Sequence, residues 1–278
     1  MKRLEKLGLA LFVGFFSLSL ALYPPFSHAK TPKQAFDRSI IVLANSSMTD
    51  AIHEISEVFS KKENVSLSAL FESPGELGRL IEEGEAANVL ITEDAIKMRD
   101  LQRLGALNVY SLANVAGDSL VVVAHKNHFL KKKLDTEETI EGKMKILSKA
   151  LLVIPDPETD PAGRFIQQAF EKVKEGKSNG WKSLEPKMLR AQNTRNALYL
   201  IENGNDAGII YKSDYVTNPE LEILLEIPQE YYDRIIYQAA IVAEPSQENS
   251  EADSERFVEF LKSDVAKAIF LKHGFTGV

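Results

Sequence analysis

The chain has no cysteine among its 278 residues. That excludes disulfides, a thiolate nucleophile, Cys-ligated zinc and lipid attachment through an N-terminal cysteine. Basic residues are not in excess either: 33 Lys and Arg stand against 40 Asp and Glu, a formal charge of −7. A general nucleic-acid binder needs a basic face, so that class is set aside. Long apolar runs are equally scarce. The uncharged stretch 7–22 follows Lys2, Arg3 and Lys6 and precedes Ser27-His28-Ala29. Positive residues, an apolar segment and small residues at its end are the three parts of a cleaved secretory signal. The run is short for a membrane span, which needs about 20 residues. Residues 1–29 are therefore expected to be removed. Their loss takes away a net +2 and leaves a chain of charge −9. Export without a lipid anchor points to the periplasm of a two-membrane bacterium.

The chemistry of catalysis is also sparse. His53, His125, His128 and His273 are scattered and lack the spacing of a metal site. No metal is expected as a bare cation, and no cofactor. Ser47 has no base near it in sequence and no Gly-x-Ser-x-Gly elbow is present, so a serine hydrolase is not expected. Gly84 and Gly204 read as turns rather than a phosphate loop. The run 131–133 reads as a solvated turn. No nucleophile–base pair supports an enzyme.

What is present is strand–helix alternation. Short β-rich runs fall at 40–44, 65–71, 89–92, 120–124, 151–154, 208–211, 221–227 and 239–242. Between them apolar residues recur at i, i+3, i+4, i+7, as in Met48, Ala51, Ile52, Ile55, Val58 and Phe59. Residues 255–271 read as a last helix. This is the pattern of α/β layers with mostly parallel sheets.

The helices begin with one chemistry. Ser46-Ser47-Met48-Thr49-Asp50 follows the first strand, with Ser47 as the expected N-cap. Ser73-Pro74-Gly75-Glu76 has capping-box spacing, with Pro74 at the first helical position. Asp156-Pro157 leads through Pro161-Ala162-Gly163 into a third helix, and Asn193-Thr194 opens a fourth. In open α/β sheets such starts line the ligand crevice, and each offers unpaired N–H groups to an anion. Ordinary capping produces the same residues, so these starts do not by themselves name a ligand.

Taken together, several segments resemble the periplasmic molybdate-binding proteins of ABC importers. They are Leu43-Ala44-Asn45-Ser46-Ser47-Met48-Thr49-Asp50-Ala51, Phe71-Glu72-Ser73-Pro74-Gly75-Glu76-Leu77, Asp118-Ser119-Leu120, Asp156-Pro157 with Pro161-Ala162-Gly163, and Gly208-Ile209-Ile210-Tyr211-Lys212-Ser213-Asp214. The ending Phe270-Leu271-Lys272-His273-Gly274-Phe275 completes them, in family order.

The resemblance implies an α/β, two-lobed periplasmic-binding-protein-like fold, each lobe a mixed, mostly parallel sheet flanked by helices, joined by crossing strands. Lobe 1 would take 30–117 plus 240–278, and lobe 2 would take 118–239. It implies a monomeric receptor that holds molybdate or tungstate between the lobes and delivers it to ABC permease subunits. By the same resemblance Ser47 gives hydroxyl and N–H, Ala162 and Thr194 give backbone N–H, and Tyr211 gives its phenol. Such donors suit a fully deprotonated oxyanion, whereas a protonated phosphate brings a donor without a partner.

One position departs from the pattern. The family's loop after Phe71 reads small–Ser–Ser–Gly, and its second Ser donates twice to the anion. Here that position is Pro74, which can donate neither bond. Two charge-assisted bonds lost without replacement would cost roughly 3–6 kcal/mol. Three outcomes are open. Ser73 or Gly75 supplies the donors after a loop shift, Asn45 and Ser46 compensate, or the ligand is another anion. A repurposed lobed protein without oxyanion binding is the contrasting reading.

Overall fold

The computed structural model describes residues 38–204, 206–216, 218–243 and 250–278. The expected signal, 1–29, lies outside them. From the start the chain forms β1 (Ser39–Asn45), a 3₁₀ turn (Ser46–Met48), α1 (Thr49–Glu63), β2 (Ser66–Glu72) and α2 (Pro74–Glu82). β3 (Val89–Thr92), α3 (Ala95–Arg103) and β4 (Ala113–Asp118) follow. Next come β5 (Leu120–His125), α4 (Phe129–Asp135), α5 (Ile140–Leu147), β6 (Leu152–Pro155) and α6 (Pro161–Glu171). A two-residue hairpin, β7 (Lys174–Glu175) and β8 (Ser178–Asn179), precedes α7 (Gly180–Leu184), β9 (Met188–Ala191), α8 (Thr194–Asn203) and β10 (Ala207–Tyr211). The chain closes through α9 (Lys212–Tyr215), β11 (Leu221–Glu226), β12 (Ile235–Ile241), α10 (Glu251–Leu261) and α11 (Asp264–Lys272).

Among the described residues these strands build two five-stranded mixed sheets, ordered β2-β1-β3-β12-β4 and β11-β5-β10-β6-β9. Each is the centre of a lobe. Parallel pairing joins β1 to β2 and β3, and β6 to β9 and β10. Within these two sheets the antiparallel pairings involve the strand that enters from the other lobe. β5 runs against β10 and β11, and β12 against β3 and β4. The sheets are therefore more evenly mixed than strand–helix alternation suggests, because each crossing brings one strand in reversed.

The crossings are short. Ser119 alone separates β4 from β5, and residues 227–234 lead from β11 back to β12. β12 pairs in the first sheet from Ile235 onward, whereas the sequence expectation assigned residues up to 239 to the second lobe. The strand is longer than its apolar core, Ala239–Ile241, because Ile235 and Tyr237 are buried on alternate positions of the same ladder. The final helix also differs. It breaks at Lys262-Ser263, and the Ser263 hydroxyl accepts the Ala266 N–H to restart it as α11. The Lys131-Lys132-Lys133 run is exposed as expected but lies on α4 rather than in a turn.

The helices pack on apolar stripes. α1 buries Ala51, Ile52, Ile55 and Phe59, and α6 buries Ile166, Ala169 and Phe170. Completely covering one such side chain stabilises by about 1.5–3 kcal/mol. The start of α6 is the tightest point near the cleft. Gly163 lies directly against the backbone of Pro155, Asp156 and Pro157, where a Cβ would collide. Backbone cannot yield as a flexible side chain does. Gly163→Ala should therefore destabilise the fold by roughly 1–3 kcal/mol, as overpacking does. Urea unfolding measures this, and an unchanged midpoint would show that the loop relaxes freely.

Candidate functional site

The carboxyl ends of β1, β2, β3, β6 and β10 carry the helix starts. β1 and β2 run in register with Asn45 beside Glu72, so the 3₁₀ turn and the start of α2 leave the first sheet side by side. Apolar Ile40–Ala44 holds β1 in the sheet, and the small polar residues after it free the chain to turn. Asn45 caps this turn. Its Oδ1 accepts the Ser47 N–H at 2.9 Å and the Ser47 hydroxyl at 2.8 Å. Ser47 is therefore not the N-cap of α1. That place falls to Met48, whose side chain makes no capping bond. The Ser47 hydroxyl instead also meets the Tyr237 phenol at 2.7 Å.

The amide of Asn45 faces Glu93. Its Nδ2 donates to both carboxyl oxygens, at 2.9 and 2.7 Å. Across the cleft, the Tyr211 phenol at the end of β10 donates to Glu93 Oε1 at 3.1 Å. Thr92 Oγ1 lies 3.5 Å from the other oxygen. Glu93, only 3% exposed, is thus gripped from both lobes by neutral donors. Tyr211 and Tyr237 stack edge to face at 6.4 Å and close the ring of contacts back to Ser47. Beside Glu93, a cavity of about 320 Å³ opens between the lobes, lined among others by Asp94, Arg164, Phe165, Arg234 and Gln238.

Two ion pairs also span the lobes. Arg164 on α6 donates to Asp94 Oδ2 at 2.6 Å, and Arg195 on α8 reaches Asp50 Oδ2 on α1 at 3.3 Å. Arg195 Nε also lies 3.0 Å from buried Asp214, but its N–H is not aimed at that oxygen and makes no hydrogen bond.

The electrostatics of the cleft are set by burial. Desolvation, followed by the charge of Asp160, pushes the Glu93 carboxyl from 4.5 up to about 8. Desolvation pushes Asp118 up to about 8 and Asp160 up to about 7. Burial raises Asp214 as well, partly offset by Arg195. Burial likewise carries the Tyr211 and Tyr237 phenols well above their ordinary value, so both keep their protons as donors.

The expected site residues divide. Ser47 and Tyr211 meet in one network through Asn45, Glu93 and Tyr237. Ala162 is buried at the start of α6, but its N–H donates to the capping Asp160 carboxylate at 2.8 Å. Thr194 is buried at the first position of α8, next to the bridging Arg195. Ser46 is half-buried, and its carbonyl accepts the Thr49 hydroxyl. Ser73 is half-buried and caps α2 by accepting the Glu76 N–H, with Pro74 buried at the first helical position.

Sequence reasoning missed Glu93, Asp160 and the phenol of Tyr237 as parts of the site. A signal for Glu93 was present. It stands at the carboxyl end of the wholly buried strand Val89–Thr92, the same place in the fold as the other helix starts. The Tyr211 hydroxyl is bonded to Glu93, the Ser47 N–H to Asn45 and the Ala162 N–H to Asp160, so each of these expected donors meets an acceptor of this chain.

Buried carboxyls with raised affinity for protons make stability depend on pH with a definite sign. The folded chain holds the Glu93 proton up to about pH 8, whereas an unfolded carboxyl releases it near 4.5. This contribution is complete below the unfolded value and is lost as pH rises through the folded one. Asp118 and Asp160 act in the same direction. Unfolding free energy should therefore fall between about pH 5 and about pH 8. Glu93→Gln should flatten the fall in urea titrations, and a wild-type profile that rises over this range would contradict the burial of protonated carboxyls.

The fold and cleft have relatives. Residues 40–276 match the family model described as bacterial extracellular solute-binding protein. The molybdate-binding protein ModA of Escherichia coli strain K12 is 31% identical over 246 residues, 87% of this chain and 90% of that one. ModA of Haemophilus influenzae is 26% identical over 281 residues, 99% of each chain. The periplasmic molybdate-binding protein of Azotobacter vinelandii superposes with a TM-score of 0.70 at 18% identity, covering 86% of this chain and 99% of that one. The chain belongs to the bacterial extracellular solute-binding protein family.

Proposed function

We propose that this protein is the extracytoplasmic receptor of an ABC importer, working as a monomer in the periplasm after removal of its signal. It captures molybdate or tungstate between its lobes and presents the closed form to the permease subunits. The observation that carries this reading is the grip on Glu93. Neutral donors from both lobes converge on one pair of carboxyl oxygens, the chemistry a small oxyanion needs. The identity to molybdate-binding relatives supports the choice of anion.

In this mechanism the oxyanion takes over the donors that now serve the chain's own acceptors. Ser47, Ala162, Thr194 and Tyr211 bind it, with Ser46 and Ser73 at the edge of the same face. Pro74 offers no donor, and Asn45 supplies the amide that the loop after β2 lacks. Closure follows because the anion touches both lobes and so binds the closed form more tightly than the open one. The role of such a receptor requires no bond making and no cofactor.

A second reading has one observation in its favour. Glu93 and Asp160 already occupy the donors, as in a lobed protein turned to an interaction role without solute binding. Calorimetric titration of the mature chain with molybdate, tungstate, sulfate and phosphate separates the two. Micromolar or tighter binding of molybdate and tungstate supports the receptor, and silence toward all four supports the second reading. Tyr211→Phe should weaken molybdate binding by about 1.5–3 kcal/mol, roughly ten- to hundredfold. An unchanged affinity would remove Tyr211 from the anion's contacts.

A further inference from the structure

We infer that the cleft binds one proton together with its oxyanion, held on the Glu93 carboxyl where that residue meets the solute. This rests on the oxyanion reading above and names what that anion must bring with it.

The argument starts from position. Glu93 bonds to Tyr211, one of the anion's proposed donors, and through Asn45 to Ser47, another. An anion that reaches those donors lies against the carboxyl. Two negative charges in contact at a buried site cannot both stay ionised. Asn45 donates to both oxygens of Glu93 and Tyr211 to one, so the carboxyl points at the donors the anion would use.

No cation bonds to Glu93 among the described residues: Arg164 and Arg234 line the same cavity, but Arg164 is paired with Asp94. The hydrogen-bond partners of Glu93 are Asn45, Thr92 and Tyr211, all neutral. The adjacent Asp94, the N-cap of α3, is itself paired with Arg164 of α6. From the other lobe, Asp160 at the N-cap of α6 adds a negative field. From β12, Tyr237 contributes only a neutral phenol, shared with Ser47. Among the described residues no Lys or Arg makes an ion pair with Glu93. A proton on the carboxyl removes the clash at the contact itself, and burial already favours it, since the carboxyl is pushed up to about 8.

Once protonated, Glu93 changes from acceptor to donor and adds an O–H to the set facing the anion. The atoms balance simply: above about pH 8 one oxyanion and one solvent proton enter, below it the carboxyl already carries that proton, and nothing is released in either case. A hydrogen phosphate could instead bring the proton itself and donate it to ionised Glu93. The expectation that a protonated oxyanion finds no acceptor in the cleft is thus reversed by this one residue.

The test is calorimetry of the mature protein with sodium molybdate at pH 9, in two buffers of different ionisation enthalpy. The buffer dependence counts protons exchanged on binding. About one proton should be taken up per molybdate, and affinity should weaken about tenfold for each pH unit above 8. In Glu93→Gln, uptake should fall toward zero and the pH profile should flatten. Wild-type binding without proton uptake would overturn the inference and leave the oxyanion reading standing. Uptake that persists in Glu93→Gln would also overturn it, by putting the proton on another group such as Asp160. Silence of both proteins toward molybdate at every pH would overturn both ideas together. The buffer comparison on the wild type stands by itself if the variant fails to fold.

Discussion

A carboxyl side chain sits where a solute-binding cleft would be expected to offer donors alone, and most of the local structure is arranged around it. Glu93 takes the amide of Asn45 from one lobe and the phenol of Tyr211 from the other. Asn45 in turn fixes Ser47, and Ser47 fixes Tyr237. Leaving any of these buried groups unpaired would cost about 1–3 kcal/mol, so the network is satisfied as a whole or not at all. Its members are oriented by one another, and a solute must exchange with that arrangement rather than fill a passive hollow.

The fold explains why these residues meet. Parallel strands deliver their carboxyl ends to one side of each sheet, and helices begin there with exposed N–H groups. The two crossings then turn the lobes toward each other, so the ends of β1 and β3 face the end of β10. At the rim, Arg164–Asp94 and Arg195–Asp50 join the lobes, with each arginine about one-third exposed. Ion pairs this close to water are worth about 0–1 kcal/mol. They set the register of closure without locking it, which suits a receptor whose closed form must be favoured by its solute and released at a permease.

The acidic interior has a consistent chemistry. Glu93, Asp118, Asp160 and Asp214 are all buried and all hold protons more tightly than an ordinary carboxyl. Perturbed groups of this kind gather at functional sites, because a dry cleft that strengthens hydrogen bonds to a guest also penalises the charge of its own walls. Of these four, Glu93 and Asp160 are the ones that accept from the expected donors Tyr211 and Ala162.

Much of this was legible in the residue order. The run Val89–Thr92 reads as a strand and the stripe through Ala51, Ile52, Ile55 and Phe59 as one face of a helix, and both form as read. Ser47 and Tyr211 both stand at strand ends in the resembled pattern, and the fold joins them through Asn45 and Glu93 in one hydrogen-bond network. For Glu93 the residue order gives only its place at the end of a strand, not its burial. Its burial depends on an amide 48 residues earlier and a phenol 118 residues later. Local periodicity determines the strands, the helices and the donors at their ends. Only the closing of one lobe on the other decides which acceptor those donors meet, because burial and hydrogen bonding at the cleft are properties of distant segments brought together.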